Sequence, residues 1–112
     1  MKRVTNLYEI QADICKVLAS PIRLAILNAL KDGEKNVSEL VSILNSHKAN
    51  VSQHLSIMKN KGILYSRRDG LNVFYRIANP KIILACSLMR EVLNEILTER
   101  GKIATEHIEL DT

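Results

Sequence analysis

At residue 62 the apolar residues of this chain change period, and that change restricts the fold more than any other feature. Before it, Val51, Leu55 and Met58 recur at helical spacing. After it, Ile63 to Arg68 and Asn72 to Ile77 are short runs containing Val, Phe, Tyr and Ile. Between them lies Arg68-Asp69-Gly70-Leu71, and Asp-Gly between two such runs is a strong hairpin signal. The 112 residues suffice for one domain, so helices and a single hairpin must share one core. Aromatics make up 4% of the chain and Trp is absent, so that core rests on Leu, Ile, Val and Ala.

The helices preceding the hairpin can be read from their apolar stripes and their ends. Leu7, Ile10, Ile14 and Leu18 predict a first helix over about residues 6 to 19. Ser20-Pro21 restarts the chain, with Ser as N-cap and Pro at the first helical position. Ile22, Ile26, Leu27 and Leu30 give the second helix its face, and Gly33 stops it. Asn36 with Glu39 three positions on has the form of a capping box, opening a short third helix through Val37, Leu40, Val41 and Leu44. The polar turn Asn45-Ser46-His47 leads into a fourth helix that ends at Gly62. Beyond the hairpin, Asn79-Pro80 opens a last helix, to about residue 103. The expected architecture is mainly α with a small β-hairpin. Four helices, two strands and a fifth helix form a single winged helix-turn-helix domain over residues 1–112.

Charge follows this order. Residues 48 to 76 carry Lys48, Lys59, Lys61, Arg67, Arg68 and Arg76 against Asp69 alone. Residues 91 to 112 carry six acidic residues against Arg100 and Lys102. A basic stretch in that place is the electrostatic footprint of a nucleic-acid binder. A winged helix used only for protein interaction is the alternative, and it predicts salt-insensitive partner binding. An enzyme is not expected, because no paired carboxylates, nucleophile–base set or phosphate loop is present. No run approaches the roughly 20 apolar residues of a membrane span. Cys15 and Cys86 lack the spacing of a disulfide framework, which implies reduced thiols and a cytoplasmic location.

On the fourth helix, stepping about 100° per residue puts Ala49, Gln53, Ser56 and Asn60 opposite the apolar stripe. A small, polar outward face suits the major groove of double-stranded DNA, where Gln or Asn can read base edges. Lys48 lies in the first turn, where its charge and the free backbone N–H groups can meet phosphate. The expected DNA contacts are Lys48, Ala49, Asn50, Ser52, Gln53 and Ser56 on the helix, with Arg67, Arg68 and Asn72 on the hairpin. On the last helix, Ile82, Cys86, Met89, Leu93 and Ile96 are spaced 4, 3, 4 and 3, the seam of a helix that pairs with another. With Leu7, Ile10 and Ile14 of the first helix, they form the expected homodimer interface.

These elements resemble the ArsR/SmtB family. Leu18-Ala19-Ser20-Pro21-Ile22-Arg23-Leu24-Ala25-Ile26-Leu27 is similar to its second-helix motif, and Val51-Ser52-Gln53-His54-Leu55 to the core of its recognition helix. Gly62-Ile63-Leu64 and the stretches Arg67 to Gly70 and Tyr75 to Ile77 resemble its wing. The resemblance implies a dimeric winged-helix repressor that releases DNA on a metal or thiol signal. The chain departs from the family at His47-Lys48, where Ser-Gln is usual. It also lacks both familiar metal sites. Asn36-Val37-Ser38 replaces the Cys-x-Cys pattern, and Asn79-Pro80-Lys81 the Asp-x-His pattern, with no later His before His107. No cofactor or metal is therefore expected, and the inducer is not legible. Cys86 and Cys15 are either buried structural thiols or the elements of a thiol sensor. His54 is expected to pack or to touch phosphate, and His107 to lie on the surface of a tail.

Overall fold

The computed structural model describes residues 2–101. Four helices come first: α1 (Lys2–Leu18), α2 (Pro21–Leu30), α3 (Val37–Leu44) and α4 (Lys48–Asn60). Strand β1 (Lys35–Asn36) lies between α2 and α3, strands β2 (Leu64–Asp69) and β3 (Asn72–Ile77) follow α4, and α5 (Lys81–Glu99) is last. The expected winged helix-turn-helix is present, with one strand more than the hairpin predicts. The tail with His107 lies outside the described residues.

The helix ends form as their residues dictate. The Ser20 side chain accepts from the Arg23 backbone N–H at 3.4 Å, and Pro21 opens α2. At α3 both halves of the capping box are made: the Glu39 N–H donates to Asn36 Oδ1 at 2.8 Å, and the Asn36 N–H to Glu39 Oε1 at 3.0 Å. Asn45 ends α3 in the left-handed region (φ 51°), where a short polar side chain is tolerated. α1 begins about four residues before its expected start and α5 ends about four before its expected end, both where end signals are weakest.

The sheet corrects two expectations. β1 pairs antiparallel with β3, Lys35 opposite Tyr75 and Asn36 opposite Phe74, giving the order β1-β3-β2. A two-residue strand has no period of its own, and its residues carry the signals of a helix start. Asp69 is not a turn residue but the last residue of β2, opposite Asn72. The two-residue loop is Gly70-Leu71, with only Gly70 at positive φ (62°). Glycine at the first central position is the pattern of a type II′ hairpin turn.

The residues up to Pro80 form one compact unit and those from Lys81 a second. In the first, Ile26, Leu27 and Leu30 of α2 are buried, with Leu40 of α3, Val51, Leu55 and Met58 of α4, Ile63, Leu64 and Tyr75; Val17 joins them from α1. A 13-residue helix such as α4 is marginal on its own. Its three anchors are at 0% exposure, and each stabilises the fold by about 1.5–3 kcal/mol relative to an exposed position. Packing, not propensity, therefore holds α4. α5, which opens the second unit, has no buried residue.

Candidate nucleic-acid interface

α4 turns its polar side outward, as its spacing requires. Lys48, Ala49, Asn50, Gln53 and Ser56 are exposed, and Ser52 is half-buried beside the Val51 anchor. His47 sits at the N-cap with extended backbone but makes no side-chain cap bond. The first turn of α4 thus keeps N–H groups without a side-chain acceptor, next to Lys48, which is an anion-binding arrangement. Asn50 Nδ2 donates to Ser46 Oγ at 3.1 Å, tying that first turn to the turn before it. One face of Asn50 is therefore fixed inside the motif.

The hairpin does not present Arg67 and Arg68 as a pair, because neighbouring residues of a strand point to opposite faces. Arg67 stands opposite Phe74 in the register and lies over its ring, 4.5 Å from the centroid. It forms an ion pair and hydrogen bonds with Glu34, and approaches Asp69 at 3.9 Å. On the same face Arg76 lies over the Tyr65 ring at 4.6 Å. Glu34, Tyr65, Ser66, Arg67, Phe74 and Arg76 line a shallow depression there. The Arg67 guanidinium holds the Glu34 carboxyl below its usual range. Arg68 is exposed near the tip and makes no ion pair among the described residues. Asn72 is exposed opposite Asp69.

Sequence reasoning missed this cluster because Glu34 is 33 positions from Arg67 and arrives through β1, which had no signal. It also missed a contact behind α4. Arg23 Nε donates to His54 Nδ1 at 3.0 Å, and Arg23 Nη1 donates to the Val17 carbonyl at 3.1 Å. His54 packs, as expected, but as a hydrogen-bond acceptor.

The two cysteines differ. Cys15 is exposed, which removes it from the core of its own protomer. Cys86 is half-buried, and burial pushes its thiol up, outweighing the lowering by Arg90. Among the described residues, no group of three or more His, Cys, Asp or Glu could hold a metal ion. Of the residues read as a dimer interface, Leu7, Ile10, Met89, Leu93 and Ile96 are exposed, and Ile14, Ile82 and Cys86 are half-buried. Leu84, Leu88 and Val92 are exposed as well. No described helix is long and apolar enough to cross a membrane.

Comparison with known proteins places this geometry. The profile of the bacterial regulatory protein arsR family matches residues 20–66, from the N-cap of α2 into β2. The HTH-type transcriptional regulator Rv0081 of Mycobacterium tuberculosis is 36% identical over 95 residues, 84% of this chain and 83% of that protein. The chain belongs to the ArsR family. The crystal structure of Rv0081 superposes with a TM-score of 0.77 at 35% identity, covering 85% of this chain and 96% of that one. The transcriptional repressor PagR of Bacillus anthracis is 41% identical over 75 residues, 66% of this chain and 75% of PagR. The homodimeric winged helix-turn-helix DNA-binding domain Mb0332 of Mycobacterium bovis superposes with a TM-score of 0.77 at 29% identity, covering 88% of this chain and 92% of that domain. This ArsR-family chain is a transcriptional regulator with a winged helix-turn-helix DNA-binding domain. The family and these relatives are regulators, not enzymes, in line with the sequence reading.

Proposed function

We propose that this regulator is a sequence-specific, cytoplasmic repressor that binds a palindromic operator in double-stranded DNA as a homodimer. The observation that carries the reading is the polar outward side of α4, with its open N-terminus beside Lys48 and with Gln53 exposed. In this reading Lys48, Ala49, Asn50, Ser52, Gln53 and Ser56 enter the major groove, while Arg68 and Asn72 follow the backbone at the wing tip. Arg67 is a weaker phosphate contact than Arg68, because a phosphate must first displace Glu34 from it. α1 and α5 form the dimer interface of a single functional domain, which gives their exposed apolar stripes a partner. The repressor PagR and the homodimeric Mb0332 domain support both parts.

A thiol-based signal is the regulatory reading that the side chains support. Cys15 and Cys86 are both free, and they lie on the two helices that carry those stripes. Oxidation there would favour one dimer geometry over another, which is what a shift in DNA affinity requires. Burial disfavours the Cys86 thiolate, which is the nucleophilic form, so Cys86 reacts slowly.

The deciding experiment is fluorescence anisotropy with duplex from the gene's own upstream region, using reduced and diamide-treated protein. Reduced protein should prefer that duplex over random DNA by about 10³-fold or more, with affinity falling linearly in log salt. Diamide should reduce the preference. Equal binding to both duplexes would overturn sequence-specific repression, and an unchanged affinity after diamide would overturn the thiol signal.

Glu34→Gln is expected to tighten binding to operator and random duplex alike, by about threefold, and to steepen the salt slope by about one unit. It frees Arg67 for phosphate without changing the polar side of α4. An unchanged salt slope in titrations of wild type and variant would show that Arg67 stays away from DNA.

A further inference from the structure

α4 is held to the core by Val51, Leu55 and Met58, which lie in one stripe along the helix. Apolar contacts are not directional, so they resist a small roll of the helix about its axis less sharply than a hydrogen bond does. His54 lies at the side of the stripe, between the buried Leu55 and the exposed Gln53. The hydrogen bond from Arg23 to His54 is the directional contact at that place.

Arg23 is itself fixed at three points. Its backbone N–H is capped by Ser20, its Nη1 donates to the Val17 carbonyl in the last turn of α1, and its Nε donates to His54. The Val17 carbonyl is one of the C-terminal carbonyls that a helix leaves without an internal partner, so a cation is well placed there. One planar guanidinium thus joins α1, α2 and α4, and its fork cannot turn away from one partner without losing the other.

We propose that the Arg23–His54 hydrogen bond is a proton-sensitive positioning contact, in which neutral His54 fixes the roll of α4 and protonation of His54 releases it, so that operator affinity falls on acidification. His54 is a positioning residue here, not a DNA contact. The proposal rests on the reading of α4 as the DNA-reading helix.

The chemistry runs in one direction. A histidine nitrogen accepts a hydrogen bond only while unprotonated, so Nδ1 as acceptor puts the ring proton on Nε2. A second proton would set an N–H against the N–H of a cation. Burial, and after it the Arg23 charge, already holds the imidazole below its ordinary value. Of the elements packed against α4, α2 supplies the charged group that acts on His54, Arg23, and neither α3 nor β2 adds one among the described residues; at α1 the guanidinium meets the uncharged Val17 carbonyl. Because the folded-state value is lowered, the stabilisation is complete above about pH 6.5 and is lost as pH falls through the lowered value.

The test compares wild type, His54→Asn and His54→Ala by anisotropy on the operator at about pH 7.5 and at a pH below the His54 midpoint found by NMR. Asn keeps an acceptor near the place of Nδ1 and does not titrate. It should bind like wild type at the higher pH and about tenfold more tightly than wild type at the lower. His54→Ala should already be about tenfold weaker at the higher pH. Parallel pH profiles for wild type and His54→Asn, or a His54→Ala protein that binds like wild type, would overturn the proposal. A second measurement needs no DNA: titration of the His54 ring by ¹⁵N NMR in wild type and Arg23→Met. The wild-type ring should hold its proton on Nε2 and titrate below the ordinary histidine value, and Arg23→Met should raise the midpoint. An unchanged midpoint would refute the coupling itself. If the ring titrates as expected but no duplex is bound, the DNA-binding reading has failed instead.

Discussion

Met89→Glu is expected to convert the protein to a monomer and to weaken operator binding by about 10²–10⁴-fold, the factor lost when two linked sites bind separately. Met89 is 67% exposed in the single chain and contacts too little of its own protomer to matter for folding. It lies in a stripe with Leu93 and Ile96, and Leu84, Leu88 and Val92 widen the exposed apolar surface. A continuous apolar surface of that kind marks an interaction site in a soluble protein. A carboxylate placed in the middle of a homodimer seam appears twice, once from each copy, and each charge is buried without a partner. Operators of winged helix-turn-helix dimers place their half-sites about 34 Å apart, so a monomer engages only one of them. Leu93→Glu should behave in the same way. Sedimentation of wild type and variant measures the assembly directly, and a monomeric wild type would remove the basis of the argument.

Gln53→Ala should cost about 1–3 kcal/mol on the operator and almost nothing on random duplex. The prediction follows from where Gln53 stands: exposed, in the middle of α4, two residues from the buried Val51 and Leu55 on either side. Its amide is long enough to reach a base edge and has both a donor and an acceptor, which suits adenine. Removing it deletes a base contact without leaving a cavity. Arg68→Ala should lower both affinities together, because a phosphate contact carries no sequence information. Paired titrations on the two duplexes separate the cases. Equal losses on both for Gln53→Ala would assign it to the backbone.

Much of this architecture was legible because its determinants are local. Ser20-Pro21, the Asn36–Glu39 box and the Asn45 break act within four residues, and each makes the bond or conformation that its chemistry predicts. The outward side of α4 was legible for the same reason, since Val51, Leu55 and Met58 alone fix which residues face away. What escaped was long-range. Glu34 reaches Arg67 through a strand too short to have a period, and Arg23 reaches His54 across 31 positions. Neither pair has a spacing that a linear reading could detect. The Asp-Gly signal located the hairpin but placed its turn one residue early, because Gly70 needs positive φ whichever neighbour shares the loop. Cys15, one residue from the half-buried Ile14 and two from the buried Val17, nevertheless lies on the exposed side of α1.

The separation of α4 into an anchored side and an open side has a bearing on how such regulators diversify. Val51, Leu55 and Met58 are fully covered, while Lys48, Ala49, Gln53 and Ser56 touch little of their own chain. The open positions can therefore change independently of the core, and the stability cost of each change stays small. With α4 reading DNA as proposed above, a duplicated copy of this gene could acquire a new DNA address by substitutions at a few neighbouring codons, with its folding left intact. Cross-talk with the parent would then be set by the same small group of side chains.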